Sequence, residues 1–269
     1  MSGANESSLP RLAQGPPNQD WMLEATAVAE DRHFWFRGLR RNARVLLDQS
    51  LQGRRDLRIV DCGSGTGRNL DWLQAYGTAV GVERSATGLR VGRAHGRRLV
   101  RGTVAALPLR DASMDLATSF DVLYCLDDDT EVAAVREMWR VLAPGGIALI
   151  NVAALDLLHG SHSTLTMELR RYTRTRLTTL LNGAGFTVSR MTFTNMTTFP
   201  LTLAVRLRDR WSGRAAEASD ADLQVPPAPI NALLSMAVGI DGALLRVMNL
   251  PIGSSLMCLA RKDAELRSC

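Results

Sequence analysis

Lysine is almost missing from this chain. Lys262 is the single one, and the other basic side chains are arginines scattered along the sequence rather than blocked. Aromatic residues make up only 5%. The net charge of +5 and the pI near 9.5 would suit nucleic acid if basic and aromatic residues were interleaved in a motif. They are not, so no nucleic-acid partner is expected, and arginine in place of lysine reads as GC-rich coding. The small positive excess favours acidic substrates or, peripherally, an anionic membrane surface. Cysteine is scarce too. Cys62, Cys125, Cys258 and Cys269 form no C-x-x-C pair, and no histidine lies at zinc-ligand spacing from them. No metal is therefore expected, and the thiols read as small side chains in a reducing compartment. The first twenty residues lack the basic start and apolar core of a secretory signal. No apolar run free of charge is long enough to span a bilayer. Together these absences predict a cytoplasmic protein. No internal repeat is apparent.

What is present is a chain of 269 residues with 46% apolar content, enough for one α/β domain carrying an insertion. Its most informative stretch is Ile59-Val-Asp61-Cys-Gly63-Ser-Gly65-Thr-Gly67. The apolar run Leu57 to Val60 reads as a buried strand. The glycines make a tight turn where a ligand can approach the backbone. Residues 68–76 read as a helix, and residues 78–82 as a second strand ending in the carboxylate Glu83. This is the layout of a Rossmann-type nucleotide site, with the carboxylate placed for ribose hydroxyls.

The glycine spacing separates two ligands. A pyrophosphate site has G-x-G-x-x-G. Here the run is G-x-G-x-G preceded by Asp61, which repels a pyrophosphate and suits a cation. The motif resembles motif I of the class I S-adenosylmethionine-dependent methyltransferases, whose cofactor carries an α-ammonium and a sulfonium. Further landmarks follow in order. Ala105-Ala-Leu-Pro108-Leu109 resembles the segment flanking adenine, Asp121 to Asp129 the motif after the fourth strand, and Arg140 to Gly146 the turn into the fifth.

The rest of the chain fits an α/β, Rossmann-like, doubly wound sheet of seven mostly parallel strands. A disordered tail is expected over 1–20 and an N-terminal helical cap over 21–56. The core is expected over 57–194 and 254–262. Its further strands are read near 99–101, 114–119, after Gly146, 186–193 and 255–260, with helices at 129–142 and 173–182. The last two strands of this fold usually form a close hairpin. Here roughly sixty residues intervene, more than a hairpin loop needs. Two apolar helices, 200–211 and 230–248, flank a proline-rich linker. Residues 195–253 are read as a helical lid over the carboxyl ends of the strands, or alternatively as a packing or dimerisation element.

The resemblance implies roles at individual positions. Asp61 would accept from the cofactor amino group. Gly63, Ser64 and Gly65 would let the methionyl portion lie against the backbone. Glu83 would take both ribose hydroxyls. Arg84 stands where an aliphatic residue usually packs on adenine, and its guanidinium would stack there. Thr103, Val104 and Ala105 would flank the adenine edge, without the aspartate that many relatives place near Thr103. Phe120 and Asp121 would lie near the methionyl part. Methyl transfer needs mainly alignment, and a base only where the acceptor must lose a proton. His162 is the preferred base, with His33 and Tyr172 as further candidates. His159 joins it on the rim after the fifth strand.

The segment Glu30-Asp-Arg-His33-Phe-Trp35-Phe-Arg-Gly38 resembles one branch of these enzymes, the bacterial type 11/12 methyltransferases with an H-[FW]-W-F-R-G segment. It would fold over the cofactor with His33 and Trp35 toward the substrate. Asn195, like His159, Trp35 and Tyr124, is assigned to the acceptor side. Departures fall on that side as well. Tyr124-Cys125 stands where relatives carry Glu-His, His162-Ser163 where they carry His-Asp, and Glu168-Leu169 in place of a histidine. The expectation is transfer of a methyl group from S-adenosylmethionine, leaving S-adenosylhomocysteine, to a small, fairly hydrophobic acceptor in bacterial specialised metabolism. The enzyme would be a monomer or homodimer. Two alternatives stand beside it: a methyltransferase of lipid-linked saccharides or polyprenyl compounds at a membrane surface, and a non-catalytic cofactor-binding protein.

Overall fold

The computed structural model describes residues 19–158, 168–211 and 224–263. The expected disordered tail therefore falls outside the described residues, apart from its last two positions. Seven strands form one sheet in the order β3-β2-β1-β4-β5-β7-β6. They are β1 (Leu57–Cys62), β2 (Gly77–Glu83), β3 (Leu99–Arg101), β4 (Met114–Phe120), β5 (Leu142–Ala153), β6 (Phe186–Thr194) and β7 (Ser255–Lys262). β7 runs antiparallel to both β5 and β6, and the other pairings are parallel. Helices cover both faces: α1 (Gln19–Ala29), α2 (Phe34–Leu51), α3 (Leu70–Leu73), α4 (Ala86–Ala94), α5 (Asp128–Val141), α6 (Arg174–Gly183), α7 (Phe199–Trp211) and α8 (Ala228–Leu244). Strand order reverses between β1 and β4, where open α/β sheets bind ligands.

The local sequence explains most starts. Asp127 caps α5 by accepting from the Thr130 N–H at 2.8 Å, and Asp128, Asp129 and Glu131 favour that helix's positive end. Ser85 caps α4 through Thr87 and Gly88, and Thr173 caps α6 through Arg176.

Two elements differ from the sequence reading. The helix expected over 68–76 shrinks to the four residues of α3. Its flanks are tight turns, and Tyr76 is drawn away to donate its hydroxyl to Asp48 while its carbonyl accepts from the Leu57 N–H. β5 begins at Leu142, before Pro144-Gly145-Gly146 rather than after it. Leu142 already pairs with Met114, so the Pro-Gly turn sits inside the strand as an irregularity. Although roughly sixty residues separate β6 and β7, the two strands still pair along eight positions.

The inserted helices play different parts. α8 packs along α2, and Gly38 permits the close crossing: a Cβ there would lie 2.2 Å from Val238. Asp241 points inward from α8 and accepts from the Thr197 N–H at 3.2 Å. α7 instead borders the cavity described below. Among the described residues no helix is long and apolar enough to cross a membrane.

Candidate functional site

The site begins where β1 turns. The N–H groups of Gly63 and Ser64 both donate to the Val82 carbonyl, at 2.9 and 3.1 Å, which folds the chain back on the end of β2. Gly63, Gly65 and Gly67 all adopt left-handed backbone, with φ of 74°, 56° and 74°. Only glycine does so without strain, so the turn demands all three.

Glu83 ends β2 buried, and both of its oxygens are engaged. Oε2 accepts from the Gly65 N–H at 2.8 Å and Oε1 from the Ser85 N–H at 2.7 Å. The carboxylate thus locks the glycine turn to the start of α4. Each oxygen retains acceptor capacity, since an ionised carboxylate offers about four lone-pair sites.

α1 lies across this turn. Ser85 donates to Asp20 at 3.0 Å. The Thr66 hydroxyl donates to the Glu30 carboxylate, whose oxygens lie at 2.9 and 3.0 Å. Arg68 pairs with Asp31. These contacts between the N-terminal segment and the nucleotide turn were not read from the sequence. In the sequence Glu30 stands out only as a neighbour of His33, and no local pattern marks a partner in another element.

Beneath α1 is a cavity of about 600 Å³. Its nucleotide end is lined by Gly63, Ser64, Gly65, Glu83, Arg84, Thr103 and Val104, all placed there by the sequence reading. Phe120 and Asp121 line its middle. The other end is walled by His33, Trp35, Tyr124 and Cys125, and by Leu201 and Val205 of α7. It also holds an ion pair unforeseen in the sequence. Arg171 donates to Glu168 through Nε at 2.5 Å and Nη2 at 3.0 Å, and through Nη1 to the Ala154 carbonyl at 3.2 Å. Both side chains are buried.

Several expected residues stand elsewhere. Asp61 is not on the cavity wall but behind the turn, where Thr118 donates to its Oδ1 at 2.6 Å. Ala105 lies just beyond the lining. Asn195 also sits behind the wall, with a left-handed φ of 61°. Its Nδ2 donates at 3.3 Å to Ser254 and Ser255, which do line the cavity, so it buttresses the wall rather than meeting an acceptor. Tyr172 is corrected outright as a base. It is fully buried away from the cavity, its hydroxyl donates to Glu131, and burial with that carboxylate raises its pKa far above the usual phenol value. His33 caps α2, its Nδ1 accepting from the Trp35 N–H at 3.1 Å. A neutral imidazole has one lone pair in its ring plane, and that bond uses it. With Nδ1 so engaged, the structure places His33 as the cap of α2. His159 and His162 lie outside the described residues.

The cavity's electrostatics favour a cation. Burial pushes the Asp61, Asp121 and Glu30 carboxyls each up to about 7. Asn151 donates to Asp121 at 2.9 Å and opposes that shift. Asp61 Oδ2 and Ser64 Oγ are buried without a hydrogen-bond partner. Unsatisfied acceptors and near-neutral carboxyls beside a backbone turn fit a ligand with an ammonium and a sulfonium group, and Glu83 fits its ribose. S-adenosylmethionine matches this donor and acceptor set. No cluster of three or more His, Cys, Asp or Glu among the described residues is arranged to hold a metal.

Comparison with known proteins agrees with this geometry. Residues 60–150 match the model of a family described as "Methyltransferase domain". A protein of Mycolicibacterium smegmatis named "Probable S-adenosylmethionine-dependent methyltransferase" is 32% identical over 165 residues, covering 59% of this chain and 61% of that protein. The demethylmenaquinone methyltransferase of Roseiflexus castenholzii is 39% identical over 105 residues, covering 36% of this chain and 43% of its own length. The matched segment thus spans about three-fifths of the first relative and under half of the second. A solved S-adenosylmethionine-dependent methyltransferase from Thermotoga maritima shares the fold, with a TM-score of 0.54 at 21% identity, over 91% of this chain and all of that one.

Proposed function

We propose that this chain is a class I S-adenosylmethionine-dependent methyltransferase that methylates a small, fairly hydrophobic acceptor in bacterial specialised metabolism, a reading supported by its similarity to the methyltransferase domain family over residues 60–150 and to the Mycolicibacterium smegmatis protein. The observation that carries the reading is the single cavity, polar and backbone-lined at Glu83 and aromatic and aliphatic at Trp35, Tyr124, Leu201 and Val205. When bound, the cofactor supplies an electrophilic methyl group and a neutral thioether leaving group. The chain's own residues supply alignment. Glu83 takes the ribose hydroxyls, Asp121 faces the ammonium, and Asp61 contributes its negative charge from behind the turn. Ser64 donates from the turn, and Arg84, Thr103 and Val104 border the adenine. α1 excludes water above them. Trp35 and Tyr124 hold the acceptor, with His33 walling the same end of the cavity. His162 remains the proton acceptor for an O–H or N–H nucleophile. α7 serves as the lid and α8 braces α2, with the enzyme working in the cytoplasm as a monomer or homodimer. A second reading, a lipid-linked or polyprenyl acceptor, draws on the exposed apolar side of α8.

The test incubates the purified protein with methyl-labelled S-adenosylmethionine and fractionated bacterial extract. Label in an organic-soluble small molecule supports the proposal, and its mass spectrum names the acceptor. Label in membrane lipid favours the second reading. Cofactor binding with no label anywhere returns the case to a non-catalytic cofactor-binding protein.

A further inference from the structure

α8 is half-used. Its inward side packs on α2 through Val238 and Gly242, with Asp241 buried toward Thr197. Its outward side bears Ile230, Leu233, Met236 and Ile240, each more than half exposed at 51%, 65%, 70% and 54%. Their spacing of three and four residues puts them on one stripe. Val247, 83% exposed, prolongs it past the helix end. A soluble surface rarely leaves so many large apolar side chains together without a use.

The charge around the stripe is mostly basic. α8 and its flanks, residues 224–253, contain one carboxylate, Asp241, which is buried and turned inward. The neighbouring α2 contributes exposed Arg37 and Arg41. Arg41 reaches across α8, its Nη1 only 2.5 Å from where a Cβ on Gly239 would stand. Arg246 is exposed at the far end. Arg37, Arg41 and Arg246 make no ion pair among the described residues. An apolar stripe bordered by arginines is the pattern of a helix that lies in the interface of an anionic bilayer. A second copy fits worse. A two-fold contact through this face would set arginine against arginine, and the nearby exposed carboxylates Asp31 and Asp48 are already engaged by Arg68 and the Tyr76 hydroxyl.

The stripe also adjoins the cavity mouth. Asn231, at its start, donates to the Arg32 carbonyl at 2.8 Å and accepts from the Phe34 N–H at 3.0 Å. Phe34 lines the cavity, as do Pro226 just before α8 and the half-exposed Leu201 of α7.

We propose that the outward face of α8 is a docking surface for an anionic lipid bilayer, holding the cavity mouth at the membrane. The inference does not depend on which acceptor is methylated or on whether the protein turns over.

The test is co-sedimentation of the full chain with vesicles of phosphatidylglycerol and phosphatidylcholine, alongside phosphatidylcholine alone. The expected result is association with the anionic vesicles that weakens at high salt. The Leu233→Glu/Met236→Glu double variant should lower it by about tenfold or more while thermal unfolding is unchanged, since both side chains are exposed. Arg37→Gln/Arg41→Gln should weaken it without touching the apolar stripe. No association with anionic vesicles at low salt overturns the proposal. So does association that the Leu233→Glu/Met236→Glu variant leaves intact, or a dimer in solution that this variant splits while no vesicle binding is seen.

Discussion

The hydroxyl of Thr66, in the glycine turn, donates to the carboxylate of Glu30, at the end of α1, with both side chains buried. One hydrogen bond thereby fastens the N-terminal helix to the loop that would cradle the cofactor. Arg97 supports the same carboxylate from 3.7 Å. Closure of the site is built into the fold rather than left to a separate domain.

Breaking that fastening should loosen the cover over the cavity's nucleotide end, which Thr66 and Glu30 both line. Thr66→Val keeps the side-chain shape and leaves Glu30 short of a donor, at a cost of about 1–3 kcal/mol. We expect weaker cofactor binding by about tenfold and faster hydrogen exchange in α1. Glu30→Gln still accepts from Thr66 and should bind nearly as the parent does. Equal affinity and exchange in the parent and Thr66→Val, measured by calorimetry and mass spectrometry, would remove α1 from the account.

Tyr172→Phe separates structure from chemistry. The phenol is buried against Glu131, so its loss should destabilise the fold by about 1–3 kcal/mol. Turnover per folded molecule should hold. A collapse of kcat at unchanged thermal stability would restore Tyr172 as a proton acceptor.

The pH dependence has a definite sign. Burial holds the Asp61 and Asp121 carboxyls at about 7, above their unfolded values. Between about 4 and 7 the folded, unliganded protein therefore binds more protons than the unfolded chain, and its stability falls as pH rises through that window. A cationic ligand favours the ionised carboxylates. Affinity for S-adenosylmethionine should climb from pH 6 to about 7.5 and then level, with proton release on binding at the acid end. Asp121→Asn should flatten the climb. A calorimetric profile that is flat in the parent contradicts the assignment.

Tyr124 faces the acceptor end of the cavity as an uncharged phenol, its pKa pushed upward chiefly by burial. Tyr124→Glu should shift preference away from apolar acceptors, lowering kcat/KM for them by about tenfold or more while cofactor affinity stays level. Unchanged selectivity would end the idea that this position tunes the pocket.

The legible parts of the site were those written in adjacent residues. The β1 run, the three glycines and Glu83 form one local unit, so their spacing carried both fold and ligand. What the sequence hid was pairing across distance. Glu30 and Thr66 meet only because α1 crosses the turn, and the Glu168–Arg171 pair faces the cavity only because the chain after β5 returns over it. Asp61 and Asn195 were read as contacts because their types suit the task. Strand pleat and a left-handed turn place them one layer back. The lid was half-legible: apolar helices flag an insertion, but α7 borders the cavity while α8 leans on α2, a distinction set by Gly38 and Val238 rather than by hydropathy.

The most direct test of the account is calorimetric titration of S-adenosylmethionine into the parent protein and into Glu83→Ala and Glu83→Gln. Glu83 holds the turn and faces the nucleotide end, so it carries the central claim. We predict one site per chain in the micromolar range for the parent, binding lost in Glu83→Ala and weakened by about tenfold or more in Glu83→Gln, with circular dichroism showing all three folded. A folded parent that does not bind, or a Glu83→Ala variant that binds as tightly, would contradict it.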